Sequence, residues 1–275
     1  MSTPARVSQS AWPLVAVDVG NSRIKLGLFD APGNSSSSEP ASPLPLPART
    51  LTLSPQTDSL ERIVDWLGAE RLSLLPWWIG SVQRSVAAKL VVWLRDRGVD
   101  RITLLASGDL PLSVALPRPD MVGIDRLLNA LAVNRLKTPS RPAVIVSLGT
   151  AITVDLVSAE GTFLGGAILP GIGMSARALH EFTDLLPLLD MQSLAEPPAA
   201  VGTNTIEAMR SGIYWGAIGA VRTLIDRLAL QVAERPQVFL TGGAAPAVAT
   251  LIDPQAEFVP SLVISAIALV GTKSA

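Results

Sequence analysis

An aspartate followed by a turn of small residues and a lysine is the first group in the sequence that could carry out chemistry. Such a turn leaves backbone N–H groups available to bind phosphate oxygens. Asp18 could hold Mg²⁺ through water, and Lys25 could neutralise phosphate charge. The segment reads Asp18, Val19, Gly20, Asn21, Ser22, Arg23, Ile24 and Lys25. The alternative is an ordinary hairpin turn, because Asn and Gly favour such turns whatever the function.

A second group, residues 147–155, repeats this pattern about one domain length later. It combines a strand pattern, the turn Gly149-Thr150 and further hydroxyl side chains. Two phosphate-binding turns in the two halves of a chain would face each other across a cleft and grip a nucleotide. The alternative is a pair of edge hairpins whose Thr residues simply favour strand geometry.

Asp125 and Arg126 form a third group, at the start of a predicted helix between the two turns. A carboxylate near a helix N-terminus is stabilised as the anion, and helix capping accounts for most such residues. Arg is also the side chain best suited to binding a carboxylate or a phosphate. Because Asp125 lies between two candidate phosphate turns and beside Arg126, a functional role stays open next to the capping role.

Composition and the remaining motifs narrow the class of protein. The net charge of −1 gives no electrostatic footprint for nucleic acid. Cys is absent and His180 is the sole His, which disfavours thiolate sites and His-based metal sites. Glycine-rich segments at 164–173 and 241–244 allow close backbone approach, and the second is a candidate adenosine platform or a packing turn. Neither matches a dinucleotide or Walker fingerprint.

The elements that must position these residues alternate between strands and helices, which predicts an α/β fold. Apolar runs and turn signals predict strands at 14–19, 24–29, 49–53, 77–81, 101–105, 143–148, 151–157, 162–168 and 238–240. Helical spacing predicts helices at 59–67, 86–97, 121–137, 175–181, 205–232 and 245–252. A hairpin opening on a small-residue turn therefore occurs once in each half of the chain.

These elements predict two domains. We expect a flexible N-terminus at 1–13, an N-terminal domain at 14–120 with a low-complexity loop at 34–47, and a connecting helix with the C-terminal domain at 121–275. Residues 1–13 lack a signal-peptide core, and the apolar stretch 258–270 is too short to span a bilayer. We therefore expect a soluble, cytoplasmic protein.

Taken in order, these motifs resemble those of type III pantothenate kinases, in the acetate and sugar kinase, Hsp70 and actin superfamily. They are Asp18-Val19-Gly20-Asn21-Ser22, Gly123-Ile124-Asp125-Arg126, Gly149-Thr150-Ala151, Gly165-Gly166-Ala167-Ile168-Leu169-Pro170-Gly171 and Thr241-Gly242-Gly243. Residues 202–205 and 211–216 are also similar to that family. The likeness covers roughly 14–252, and the ordered set is more specific than any one motif.

The resemblance implies two ribonuclease H-like (actin-like ATPase) domains with an inter-domain active-site cleft, in a homodimer. It implies transfer of the ATP γ-phosphate to pantothenate, the first step of coenzyme A biosynthesis, with Mg²⁺. By motif position, the segment 18–25 and Thr150 would bind ATP, and Asp125 would be the general base. Pantothenate would contact Gly123, Ile124, Asp125, Arg126 and Thr183.

One departure from the family pattern bears on cofactors. Where family members carry an Asp that helps bind a monovalent cation, this chain has Ser147, which leaves a role for K⁺ or NH₄⁺ open. Two other functions remain as alternatives: a kinase of the same superfamily acting on another small hydroxyl compound, and a nucleotide-binding transcription accessory factor without turnover.

Overall fold

The computed structural model describes residues 12–30, 43–55, 60–190 and 196–273. The predicted flexible N-terminus at 1–13 and the low-complexity loop at 34–47 lie outside the described residues, apart from 12–13 and 43–47.

Within these ranges, strands and helices alternate as expected. The strands are β1 Leu14–Val19, β2 Ile24–Phe29, β3 Arg49–Leu53, β4 Trp77–Ser81, β5 Ile102–Leu104, β6 Ala143–Leu148, β7 Ala151–Val157, β8 Phe163–Pro170, β9 Gln237–Thr241 and β10 Glu257–Phe258. The α-helices are α1 Arg62–Leu67, α2 Ala69–Leu72, α3 Arg84–Arg95, α4 Ile124–Leu136, α5 Ile172–Glu181, α6 Thr205–Ala229, α7 Ala245–Ile252 and α8 Leu262–Lys273. None of these helices is both long and apolar enough to cross a bilayer.

The two sheets have the same topology. The first has the strand order β3-β2-β1-β4-β5 and the second the order β10-β9-β6-β7-β8. In each, three consecutive strands pair antiparallel, and the first of them also pairs in parallel with a later strand. This repeated order extends the hairpin repeat predicted from the sequence to whole sheets.

The first sheet is covered on both faces. One face packs the alternate residues Val15, Val17 and Val19 against the apolar sides of α1, α2 and α3. The other face packs against α4 and α8, where glycines allow close approach. A Cβ on Gly27 would lie 3.0 Å from Ile264, and one on Gly80 would lie 3.0 Å from Leu128.

The second sheet packs one face against α6 and α7. Val144, Val146 and Val154 on this face join Tyr214 and Val248 from the two helices in one apolar core. The odd-numbered residues of β6 and β7 point to the opposite face.

Two compact units contain these sheets. The first comprises 1–111, 120–136 and 262–275, and the second comprises 112–119 and 137–261. The predicted boundary at residue 120 separates the two sheets, whereas the units assign helices α4 and α8 to the first sheet. This assignment follows from packing, because α4 and α8 cover the β1–β4 face.

Candidate active site

Asp18 lies on the face of the first sheet that α4 and α8 cover. Side chains alternate along a strand, so Asp18 points away from the core face that holds Val17 and Val19. It pairs in register with Lys25 of β2 and with Gly80 of β4. Asp18 is therefore placed near the carboxyl ends of two parallel strands, where ligands of α/β sheets commonly bind.

Asp125 lies in the first turn of α4, beside this part of the sheet. Its Oδ1 accepts a hydrogen bond of 2.9 Å from the backbone N–H of Arg126. A Cβ on Gly123 would lie 2.7 Å from the same oxygen. The glycine two residues earlier therefore leaves room for the carboxylate to fold back over the helix start, which explains the spacing of this motif.

The structure brings Asp18 and Asp125 close enough for their charges to interact. The pKa of Asp18 is raised to about 7, mainly by burial and also by the charge of Asp125, and the charge of Lys25 opposes this shift. Burial also raises the pKa of Asp125, against the lowering effect of the N–H and the charge of Arg126. Paired carboxylates with raised pKa values are typical of catalytic sites, although structural pairs show them too.

The first predicted phosphate turn is a tight loop between β1 and β2. The N–H of Gly20 donates to the carbonyl of Arg23 at 3.0 Å, and Val19 pairs with Ile24. The side chains between them are exposed; these are Asn21, Ser22 and Arg23. The turn thus projects from the sheet edge next to Asp18, with its side chains accessible to a ligand.

The second predicted turn is enclosed by two glycines from other elements. A Cβ on Gly171 would lie 2.3 Å from the carbonyl oxygen of Thr150, and one on Gly242 would lie 2.4 Å from that of Leu148. The N–H of Gly171 also donates to Thr150 at 3.1 Å. Only residues without side chains fit here, so the start of α5 and the end of β9 hold Gly149-Thr150 in place.

A row of hydroxyl side chains crosses the second sheet just before this turn. Ser147 pairs with Thr153 on one side and with Thr241 on the other. Thr153 and Thr241 are buried, and the Thr153 hydroxyl is a buried atom with no hydrogen-bond partner in the described part of the chain. Neutral hydroxyls therefore stand at the position predicted for a monovalent cation.

Thr183 lies at the surface, two residues after the end of α5. Its hydroxyl donates to the carbonyl of Leu179 at 2.6 Å, and its neighbour Phe182 is 83% exposed. Thr183 belongs to the second unit, whereas Asp125 belongs to the first. Its role toward pantothenate stays a prediction.

Gly80 is a site residue that the sequence interpretation missed. It lies opposite Asp18 and lets α4 approach β4, which brings Asp125 to the sheet. An isolated glycine inside a strand indicates close backbone approach, so this signal was available in the sequence. The sequence did not show which elements pack against Gly80.

No cluster of three or more His, Asp or Glu side chains suited to a metal occurs in the described ranges. Mg²⁺ usually binds through one or two carboxylates together with substrate phosphates. Asp18, an oxygen donor beside a candidate phosphate turn, fits that mode of binding.

Sequence comparisons extend these observations. A profile described as type III pantothenate kinase matches residues 14–227. The type III pantothenate kinase of Gluconobacter oxydans is 37% identical over 67% of this chain and 67% of its own. Those of Paramagnetospirillum magneticum and Rhodospirillum rubrum are 41% and 40% identical, and the match spans 51% and 54% of their lengths. The chain thus spans between half and two thirds of the length of these relatives.

Solved structures show the same fold. A Campylobacter jejuni protein described as a candidate Baf family transcriptional activator has a TM-score of 0.60 and 17% identity, over 95% of this chain and 98% of its own. A Listeria monocytogenes protein described as a candidate N-acetylmannosamine kinase has a TM-score of 0.52 and 11% identity, over 95% and 99%. With the two repeated sheets, these matches confirm the predicted α/β class with two ribonuclease H-like domains.

Proposed function

The chain belongs to the type III pantothenate kinase family, and from this membership we propose that it phosphorylates pantothenate with ATP. The product is 4′-phosphopantothenate, in the first step of coenzyme A biosynthesis. The observation that carries the proposal is the pair Asp18 and Asp125, which interact on one face of the first sheet within the span of the family match.

Asp125 is the proposed general base. The pantothenate hydroxyl attacks the γ-phosphorus of ATP, its proton passes to a carboxylate oxygen of Asp125, and ADP leaves with the bridging oxygen. The raised pKa of Asp125 favours this role, because a base is most effective when its pKa approaches the working pH. Phosphoryl transfer otherwise requires positioning and neutralisation of phosphate charge.

The two turns are the proposed ATP site. The segment 18–25 and Thr150 contribute backbone N–H groups, hydroxyls and the charge of Lys25 to the phosphates. When bound, Mg²⁺ would neutralise phosphate charge, held by Asp18 through water. Residues 123–126 and Thr183 are the proposed contacts to pantothenate, in which Arg126 supplies a cation for its carboxylate.

The residue type at Ser147 bears on whether the proposed site uses a monovalent cation. Ser147 and its neighbours Thr153 and Thr241 offer hydroxyl oxygens in a row but no negative charge. A site for K⁺ or NH₄⁺ would lack a carboxylate at this position. We therefore expect turnover to be the same with and without K⁺.

A kinase assay tests the function and the cation together. Purified protein, ATP and Mg²⁺ with pantothenate should yield 4′-phosphopantothenate, detected by mass spectrometry, at equal rates in Na⁺ and K⁺ buffers. Lack of product in both buffers would refute pantothenate as the substrate. Phosphorylation of another compound in a sugar and polyol panel would select a different kinase, and nucleotide binding without any transfer would select the regulator.

A homodimer is the proposed assembly, and α6 offers the surface. Gly212, Gly216 and Gly219 lie on the side of α6 opposite Tyr214. Apart from their chain neighbours and the backbone of α6 itself, no heavy atom of the described residues comes within 4 Å of a Cβ built on any of them. Glycine inside a helix costs about 1 kcal/mol relative to alanine. A second copy whose helix approaches this glycine stripe would account for that cost. We propose that the protein acts in the cytoplasm.

A further inference from the structure

Arg210 is a partly buried cation in the second turn of α6 that the proposed site does not yet use. The helix begins after Asn204, whose side chain accepts from the N–H of Glu207 at 3.0 Å. Arg210 therefore lies within the regular part of α6, so helical spacing shows on which side of the helix it lies.

Arg210 lies on the side of α6 that faces the second sheet. Residues four and eleven positions apart lie on the same side of a helix. Tyr214 lies four residues after Arg210 and Val221 lies eleven residues after it. Both are fully buried in the core that α6 forms with β6 and β7. Arg210 thus continues the sheet-facing side of α6 by one turn toward its N-terminus.

The direction of α6 places its N-terminus toward the end of the second sheet that carries the Gly149-Thr150 turn. The helix leads back to the start of β9, which runs parallel to β6, so α6 runs antiparallel to both strands. Its first turns therefore lie toward the carboxyl ends of these strands, where the turn begins.

A chain of contacts supports this placement. Gly171 touches the carbonyl of Thr150, and the next residue, Ile172, packs in one apolar cluster with Met209 and Ile213. In α6, Met209 directly precedes Arg210 and Ile213 follows it by three residues.

The guanidinium of Arg210 has a buried N–H group that lacks a hydrogen-bond partner among the described residues. Its Nε is buried, and no hydrogen-bond partner reaches it within the described part of the chain. Glu207 is near enough for its pKa to be lowered by Arg210, but its Oε2 already accepts from the N–H and the hydroxyl of Thr203, at 2.8 and 2.7 Å. Burying part of a charged group without a partner is costly, and an anion bound to the guanidinium would offset this cost.

We propose that Arg210 binds a phosphate group of the nucleotide held at the Gly149-Thr150 turn, as a nucleotide-binding residue of the second unit. The proposal rests on the proposed function, because it takes the ligand to be a nucleoside di- or triphosphate. A planar guanidinium can donate two parallel hydrogen bonds to a phosphate, which a lysine in its place cannot.

The test compares Arg210→Gln and Arg210→Lys with the wild type in calorimetric titrations with ATP, ADP and adenosine. Hydrogen bonds to charged groups contribute about 1.5–3 kcal/mol, so Arg210→Gln should weaken ATP and ADP binding by about 10- to 150-fold. Arg210→Lys should lose less, and the affinity for adenosine should not change. Arg222→Gln is the matched control, because Arg222 is an exposed residue of the same helix.

Two results would overturn the proposal: ATP affinity within twofold of wild type in Arg210→Gln, or an equal loss of affinity for adenosine. If Arg210→Gln does not fold, Arg210→Lys decides, because unchanged ATP affinity in that variant also contradicts paired hydrogen bonds from the guanidinium. Binding is measured without pantothenate, so the outcome is separate from the proposed function. A wild type that binds ATP through Arg210 but does not phosphorylate pantothenate would refute only the latter.

Discussion

At the scale of single residues, the chemistry depends on two carboxylates with different proposed tasks. Asp18 would act on the phosphates, whereas Asp125 would act on the acceptor hydroxyl. Both lie in surroundings that disfavour their charged forms, so their neutral amide variants should fold.

We expect Asp125→Asn to lose turnover by about 100- to 10,000-fold, the usual contribution of a general base. The amide keeps the shape of the carboxylate but cannot accept the proton, so ATP affinity should be similar to wild type. Steady-state kinetics and calorimetry measure the two effects. Asp226→Asn, at an exposed position of α6, is the control. Equal activity in Asp125→Asn would remove Asp125 from the role of base.

Asp18 should make stability depend on pH. Its pKa is about 7 in the folded chain and about 3.8 when unfolded, so between these values the folded state binds more protons. Stability therefore falls as pH rises from about 4 to 7 and is lowest, for this group, above pH 7. Asp18→Asn should remove this slope and raise the urea midpoint at pH 8.5 more than at pH 5.5. A difference that is the same at both pH values would contradict the raised pKa. The variant should also lose activity.

At the scale of elements, the second phosphate turn depends on residues that have no side chain. Gly171→Ala would place a methyl group 2.3 Å from the carbonyl oxygen of Thr150, so the start of α5 or the turn must move. We expect ATP affinity to fall at least tenfold and the protein to lose more than about 1 kcal/mol of stability. Gly108→Ala is the control, because apart from its chain neighbours no described residue comes within 4 Å of a Cβ there. Calorimetry and thermal unfolding measure both, and unchanged ATP affinity would show that the turn does not bind the phosphates.

Local patterns in the sequence predicted most of these elements. Both hairpins and α7 have the predicted bounds, since their apolar runs and turn residues are contiguous. Helix α8 was missed because Ile264, Ala266, Ile267 and Ala268 are all buried, which removes the polar face that marks an amphipathic helix. Its assignment to the first unit depends on contacts far apart in sequence.

In the candidate site too, some features follow from the local sequence and others depend on tertiary packing. The motif at 18–25 and the position of Asp125 follow from spacing and turn chemistry. Arg210 was not singled out, because nothing in its neighbouring residues distinguishes it from an ordinary helix surface. Its burial appears only when α6 packs on the sheet.

At the scale of the whole molecule, the glycine stripe of α6 should determine assembly. We expect Gly216→Arg to convert a dimer into a monomer, since a large charged side chain would block close approach of a second helix. The position is exposed and Arg is a good helix former, so thermal stability of the isolated subunit should not fall. Sedimentation or light scattering at several concentrations measures the assembly. A variant that remains dimeric like the wild type would place the interface elsewhere.

Helix α8 determines the order in which a newly made chain can fold. Residues 262–273 cover β1, β2 and β4, yet the ribosome makes them more than 150 residues after these strands. Until α8 is made, α4 covers only part of that face of the first sheet, while residues 137–261 can already collapse into the second unit. Chaperones would meet the nascent chain in this interval, and premature termination before residue 262 would release a product whose second unit is nearly whole and whose first is unfinished.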